Sequence, residues 1–292
     1  MKPITNHAKS IKDKLLNLMR NSGKEYMYLL ARYFNERLLY RISISRYRDN
    51  FILKGGSLLY ALDGLNARPT VDIDVLCMYI NREQEALIVA IREILGLKYE
   101  EDGVIFDLDS IVPTPIAVDK KYPGTRFSFK ARMDSIVHNM SIDIGFGDVI
   151  VPSPQIIDFP LLIPSLPSVN ITAYSVETVI AEKFHAMIDR DVANSRMKDF
   201  FDCYMLLNAK TIDDDILYDA IRETFNNRKL LIKSDLQLFS KVFYEDKNRL
   251  VGWRGFLKKI KWKEVVTFED VMNVIASRLQ PMYERYVKEQ QV

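Results

Sequence analysis

Residues 51–76 read FILKGGSLLYALDGLNARPTVDIDVL, and the order of residue types in this stretch decides how the chain is built. The apolar run 51–53 ends on Gly55-Gly56, which predicts a short buried strand closed by a glycine turn. Residues 57–62 predict a brief helix, and 71–78 a second strand rich in β-branched side chains. Side chains two apart on a strand share a face, so Asp72 and Asp74 project together while Val71, Ile73 and Val75 face the core. Carboxylates with Cβ atoms roughly 7 Å apart repel unless a cation lies between them.

Hard divalent cations such as Mg²⁺ take oxygen ligands and are commonly held by a few carboxylates together with substrate phosphates. A third acid in a similar setting would complete such a site, and SIDIGFGD at 141–148 supplies Asp143 between Ile142 and Ile144. Asp134 and Asp148 lie nearby as competitors for that place. A glycine turn leading from a strand into a helix presents backbone N–H groups and the Ser57 hydroxyl, a natural phosphate cradle. Each feature alone is weak, since most double glycines only make turns and most DxD pairs mark a solvated strand edge. Strand, GGS, helix, DxD strand and a later strand with one Asp are together far more specific. They suit phosphoryl or nucleotidyl transfer with metal ions bridging the attacking and leaving oxygens.

Working outward, the first fifty residues carry helical periodicity, with Leu15, Leu16 and Met19 on one stripe and Tyr26, Leu29, Leu30, Tyr33 and Phe34 on another. Residues 84–95 predict an amphipathic helix, followed by strand-like runs at 104–106, 126–131 and 140–144. Five prolines crowd 152–167, and beyond Ser175 the pattern is helical almost to the end. Thr267 with Asp270 three residues on predicts the N-cap of the last helix. The expected organisation is α+β (α/β) from 1 to 172, with a mixed sheet flanked by helices, and a helical domain from 173 to 292.

The 292 residues are 48% hydrophobic and 27% charged, the balance of a globular protein. Two cysteines in apolar segments, Cys77 and Cys203, predict reduced core thiols and a cytoplasmic chain. No apolar run approaches a membrane span, the N-terminus lacks signal-peptide character, and three histidines give no zinc spacing. The net charge of +2 conceals a basic window at 222–263, where twelve Lys and Arg face four acids. Such a field attracts a polyanion or simply solvates a helix surface.

The arrangement GGS, spacer, DID and later Asp resembles the nucleotidyltransferase superfamily of the DNA polymerase β type. The fuller string GGSLLYALDGLNARPTVDIDVL, with Arg68-Pro69-Thr70 ahead of the DID, resembles the AbiEii/AbiGii toxin family more closely. So does AEKFHAMIDRD…SRMKDFFDCYML at 181–206, with Lys198-Asp199 where Arg-Asp is common. The resemblance implies a polymerase β-like mixed sheet followed by a helical C-terminal domain. It implies that Asp72 and Asp74 bind Mg²⁺, and that Asp143 completes the set and acts as base on the acceptor hydroxyl. Gly55, Gly56 and Ser57 would hold the nucleoside triphosphate, and Lys183 would neutralise phosphate charge. Asp199 or Asp202 would order Lys183 or the nucleotide.

It further implies a toxin of a toxin–antitoxin or phage abortive-infection system, with a cognate antitoxin from a neighbouring gene. The expected activity is Mg²⁺-dependent transfer of NMP from NTP to RNA, with the tRNA 3′ acceptor end as target. Rival readings are nucleotidylation of a small molecule or protein, and a non-catalytic nucleotide-binding scaffold. Asp199 and Asp202 could equally pair with Arg196, Lys198 or Arg190, and His138 and His185 read as packing histidines. Lys120, Lys121 and Tyr122 with Arg126 predict an exposed hairpin able to touch nucleotide or RNA.

Overall fold

A computed structural model of the chain describes residues 6–64, 67–70, 72–116, 123–209, 211–233 and 235–291. Val71 and the Lys120, Lys121, Tyr122 triplet therefore lie outside the described residues. The chain divides into two units, Met1–Gly147 with Gln155–Tyr174, and Asp148–Pro154 with Ser175–Val292.

In the first unit, helices α1 (His7–Ser22) and α2 (Tyr26–Ile44) lead into β1 (Phe51–Lys54), which passes directly into α3 (Gly55–Asp63). Strand β2 (Ile73–Cys77), helix α4 (Gln84–Gly96) and strands β3 (Ile105–Ile116), β4 (Gly124–Met133) and β5 (Ile136–Gly145) follow. Strands β6 (Gln155–Phe159) and β7 (Val169–Ala173) complete a seven-stranded sheet of order β3-β4-β5-β2-β1-β7-β6. Two of its pairings are parallel, β2 with β5 and β1 with β7, and the rest are antiparallel, so the sheet is mixed. The expected mixed sheet flanked by helices is thus present.

Three details depart from the sequence reading. Strand β3 runs well past 104–106 through a register shift between Asp107 and Val112. Its Pro113 and Pro115 are tolerated because β3 is an edge strand, where a missing N–H breaks no central ladder. The proline-rich stretch holds β6: Pro154 and Pro160 bracket it and limit it to five residues. Helix α2 is buried from Leu29 to Ile42 on nearly every side, although the sequence shows a single apolar stripe. Glu36, Arg37 and Arg41 are accommodated by ion pairing, as burial requires. Arg41 forks onto the buried Asp102 carboxylate, and Arg37 meets Glu36 at 2.6 Å. Arg32 stacks its guanidinium 3.5 Å from the Tyr60 ring centroid, tying α2 to α3.

The second unit is helical: α5 (Val176–Arg190), α6 (Met197–Ala209), α7 (Asp214–Asn227), α8 (Lys241–Tyr244), α9 (Lys247–Lys259) and α10 (Phe268–Glu289). Thr267 and Asp270 form a reciprocal capping box that opens α10. Among the described residues no helix is long and apolar enough to cross a membrane. Cys77 and Cys203 are free and buried; burial pushes the Cys77 thiol up to about 12 and the Cys203 thiol up as well.

Candidate active site

Register places a row of charges across one face of the sheet. Asp74 on β2 lies directly opposite Asp143 on the parallel neighbour β5, and opposite Lys54 on β1. Asp143 in turn lies opposite Arg126 on β4. The row across four strands is therefore Lys54, Asp74, Asp143, Arg126, two acids bracketed by two cations. The alternate residues Ile73, Val75, Ile142 and Ile144 are fully buried and fix which face the acids take. Asp72, just ahead of β2, accepts a hydrogen bond on Oδ1 from Ser141 Oγ at 3.1 Å. Ser141 is two residues before Asp143, so a carboxylate–hydroxyl contact continues the same face.

Neighbouring strands stand about 4.8 Å apart, and like charges directly opposite are unfavourable. Arg126 offsets part of this by gripping Asp143 with both arms: Nε donates to Oδ1 at 2.6 Å and Nη2 to Oδ2 at 2.7 Å. The Asp143 hydrogen bond and charge, with Asp72 and Asp74 behind them, hold the Arg126 guanidinium above its ordinary range. Lys54 Nζ donates to the Tyr174 hydroxyl at 3.4 Å and lies 5.2 Å from its ring centroid.

The glycine turn is a close-approach device. Gly55 adopts φ +65°, and a Cβ there would lie 2.8 Å from Asp74 Cγ. A Cβ on Gly56 would lie 2.6 Å from Thr70 Oγ1, which explains a use for the Thr70 noted ahead of the DID. Helix α3 begins at Gly55 with Lys54 as N-cap and no side-chain capping bond. The first-turn N–H groups of α3 are thus left for water or an anion beside Asp74. Ser57 is buried, and its hydroxyl donates to the Asp72 carbonyl oxygen at 3.1 Å, clipping the turn to the DxD segment.

In the helical unit, Lys183 on α5 donates to Asp199 Oδ1 at 3.2 Å and Asp202 Oδ2 at 2.6 Å, both on α6. Arg196 meets the other oxygen of Asp199 at 2.6 Å. The side chains are 13%, 3% and 1% exposed for Lys183, Asp199 and Asp202, so the cluster is desolvated. Burial works against the Lys183 charge, but Asp202 and Asp199 outweigh it and hold the ammonium above its ordinary range. Of the pairings open to Asp199 and Asp202 in sequence, Lys183 takes both and Arg196 joins at Asp199.

The competing acids have other partners: Asp134 pairs with Lys12 at 2.9 Å, and Asp148 with Arg228 at 2.7 Å, which also holds Glu182. His138 stacks flat on Phe34, and His185 is buried against Phe225, as packing histidines do. Sequence reasoning left Lys54 and Ser141 without a place in the sheet site, and gave Arg126 an exposed hairpin or a contact to nucleotide or RNA but no partner in the sheet. The signal for Arg126 was the alternation TRFSFKARM, which puts Arg126 opposite in phase to buried Phe127 and Phe129. Its partner becomes visible only once β4 and β5 are in register.

The donor set Asp72, Asp74, Asp143 is oxygen-only and suits a hard divalent cation. The absent side chain of Gly55 keeps space at the Asp74 carboxylate. Among the described residues, however, no three acids, cysteines or histidines already converge as a metal cage. Asp143 is engaged by Arg126 instead.

No curated protein matches the chain. Among solved structures, a Helicobacter pylori protein described as a nucleotidyltransferase aligns at TM-score 0.51 and 15% identity, over 91% of this chain and 98% of that one. This similarity shows the fold. JHP933 from H. pylori aligns at TM-score 0.49 and 16% identity, over 89% and 95% of the two chains. Residues 37–274 match the family described as nucleotidyl transferase AbiEii toxin, Type IV TA system, a span that holds both the GGS–DID–Asp143 sheet and the Lys183 cluster. The chain belongs to the AbiEii nucleotidyl transferase toxin family.

Proposed function

We propose that this protein is a Mg²⁺-dependent nucleotidyltransferase toxin that transfers NMP from an NTP to RNA, the 3′ acceptor end of tRNA being the expected target. The observation that carries this reading is the placement of Asp74 directly opposite Asp143, with Asp72 on the same face and the uncapped start of α3 alongside. Three carboxylates beside a ready anion seat are what nucleotidyl transfer from a triphosphate needs.

In this reading Asp72, Asp74 and Asp143 hold the cation, which supplies Lewis acidity at the α-phosphate and neutralises pyrophosphate charge. The backbone N–H groups at Gly55, Gly56 and Ser57 seat the triphosphate, while the Ser57 hydroxyl keeps the turn in place. Asp143 takes the proton of the acceptor 3′-hydroxyl as its oxygen bonds to the α-phosphorus and pyrophosphate departs. Lys183, held by Asp199 and Asp202, is the lysine expected to neutralise phosphate charge.

The choice of RNA as acceptor rests on charge. Exposed Lys247, Arg254, Lys258, Lys259, Lys261 and Lys263 cluster on and just after α9, a footprint larger than a small acceptor requires. Family membership supports the expectation of a neutralising antitoxin. Incubation of folded protein with each α-labelled NTP, Mg²⁺ and total tRNA is expected to label the RNA with one or more nucleotides. Absence of label with every NTP, or label on protein alone, overturns the reading.

A further inference from the structure

The carboxylate face poses a charge problem that the fold answers with a cation of its own. Asp143 has both oxygens taken by the Arg126 fork, at 2.6 and 2.7 Å, and no ready metal cage exists among the described residues. A guanidinium fork matches a carboxylate and a phosphate equally well, since both offer two oxygens at the right spacing. Arg126 is also placed to exchange one for the other. It stands two strands from Asp74, roughly 10 Å at about 4.8 Å per strand, on the face that carries all three acids.

Exposure decides that this pair can open while others cannot. Arg126 is 41% and Asp143 16% exposed. An ion pair that water reaches on the guanidinium side can trade one oxygen partner for another without leaving a bare charge in the interior. The Lys183 cluster, with carboxylates 1% and 3% exposed, is the opposite case, where separating partners strands a buried charge.

We propose that Arg126 is the resident counter-ion of the site: it holds Asp143 in the empty enzyme and releases it when a divalent cation arrives with a nucleoside triphosphate, passing its fork to the phosphate oxygens. This rests on the metal-binding reading of Asp72, Asp74 and Asp143. Its consequence is thermodynamic. Metal alone must displace Arg126 with nothing to receive the guanidinium, whereas metal with nucleotide offers it a new partner. Cation and nucleotide therefore bind with positive coupling, and Arg126 carries that coupling.

The probe is Mn²⁺, followed by electron paramagnetic resonance on the full-length chain, with and without an α,β-methylene nucleoside triphosphate. In the unaltered protein the nucleotide analogue is expected to tighten Mn²⁺ binding roughly tenfold or more, within the usual range of such couplings. Arg126→Gln is expected to bind Mn²⁺ alone roughly tenfold more tightly and to lose most of the added effect of nucleotide. Arg126→Lys keeps the charge but not the fork and is expected to fall between them, which guards against a misfolded glutamine variant. If the protein binds Mn²⁺ with nucleotide but both variants match it in each condition, the counter-ion role is overturned and the metal site stands. If Asp74→Asn binds Mn²⁺ as the unaltered protein does, or nothing binds even with nucleotide, the metal-binding reading itself is overturned.

Discussion

Gly55 carries two constraints at once: a left-handed backbone at φ +65° and a carboxylate pressed against its Cα. Alanine at this position therefore meets strain and a collision together. Gly55→Ala is expected to destabilise by about 1–3 kcal/mol in urea unfolding and to abolish nucleotide-analogue binding. Asp74 behaves in the opposite way. Its carboxylate faces Asp143 on one side and Lys54 on the other, so Asp74→Asn removes a like-charge opposition and an attraction that offset one another, each about 0.2–1 kcal/mol. The expected outcome is loss of label transfer by roughly a hundredfold or more with no fall in Tm, which separates function from folding cleanly. Lys183 shows a third pattern. Lys183→Met leaves Asp199 and Asp202 buried without their shared cation and is expected to cost about 3–5 kcal/mol. Because the native ammonium is held above its ordinary 10.5, its contribution is fully present below that pH and is lost only as pH rises through the raised native value. The stability gap between Lys183→Met and the unaltered protein should thus be flat from about pH 6 to 9 and narrow only in strong alkali, as thermal melts would show.

Among the elements, α2 is the one whose role the sequence conceals. Its apolar stripe was legible, but nothing in the sequence marked Arg32, Glu36, Arg37 and Arg41 as buried, and all four are. They can be so because each finds a partner: an aromatic ring, a neighbouring acid, or Asp102 from the segment after α4. Arg41→Met is expected to cost about 3–5 kcal/mol, and adding Asp102→Asn should recover much of it, because the loss comes mainly from the stranded carboxylate. A double-mutant cycle in urea reads this directly. The last helix was legible down to its cap, since Thr267 and Asp270 act through local backbone geometry alone. The strands β6 and β7 were not, because prolines masked short runs that pair with each other, and β7 joins the rest of the sheet through β1, more than a hundred residues earlier.

At the scale of the whole molecule, charge is nearly balanced in each unit, 21 Lys and Arg against 19 acids in the sheet unit and 20 against 20 in the helical one, and the basic excess is local to 222–263. If that excess binds an RNA backbone, the affinity of labelled tRNA should fall steeply with salt. Replacing exposed Lys258 and Lys259 by Gln should lower the slope of log K against log salt by roughly 0.7–0.9 for each phosphate that is no longer neutralised. An unchanged slope would move the RNA-binding surface elsewhere. The sequence by itself determined the strand–turn–helix start, the DxD pair, the helical second half and the family, because each rests on local spacing or on a continuous motif. Only the tertiary structure decided that Asp143 rather than Asp134 or Asp148 faces Asp74, that Arg126 closes over it, and that Lys183 is shared by two acids. Those outcomes depend on strand register and helix packing between residues far apart in the chain, where a shift of one position would turn every side chain to the other face.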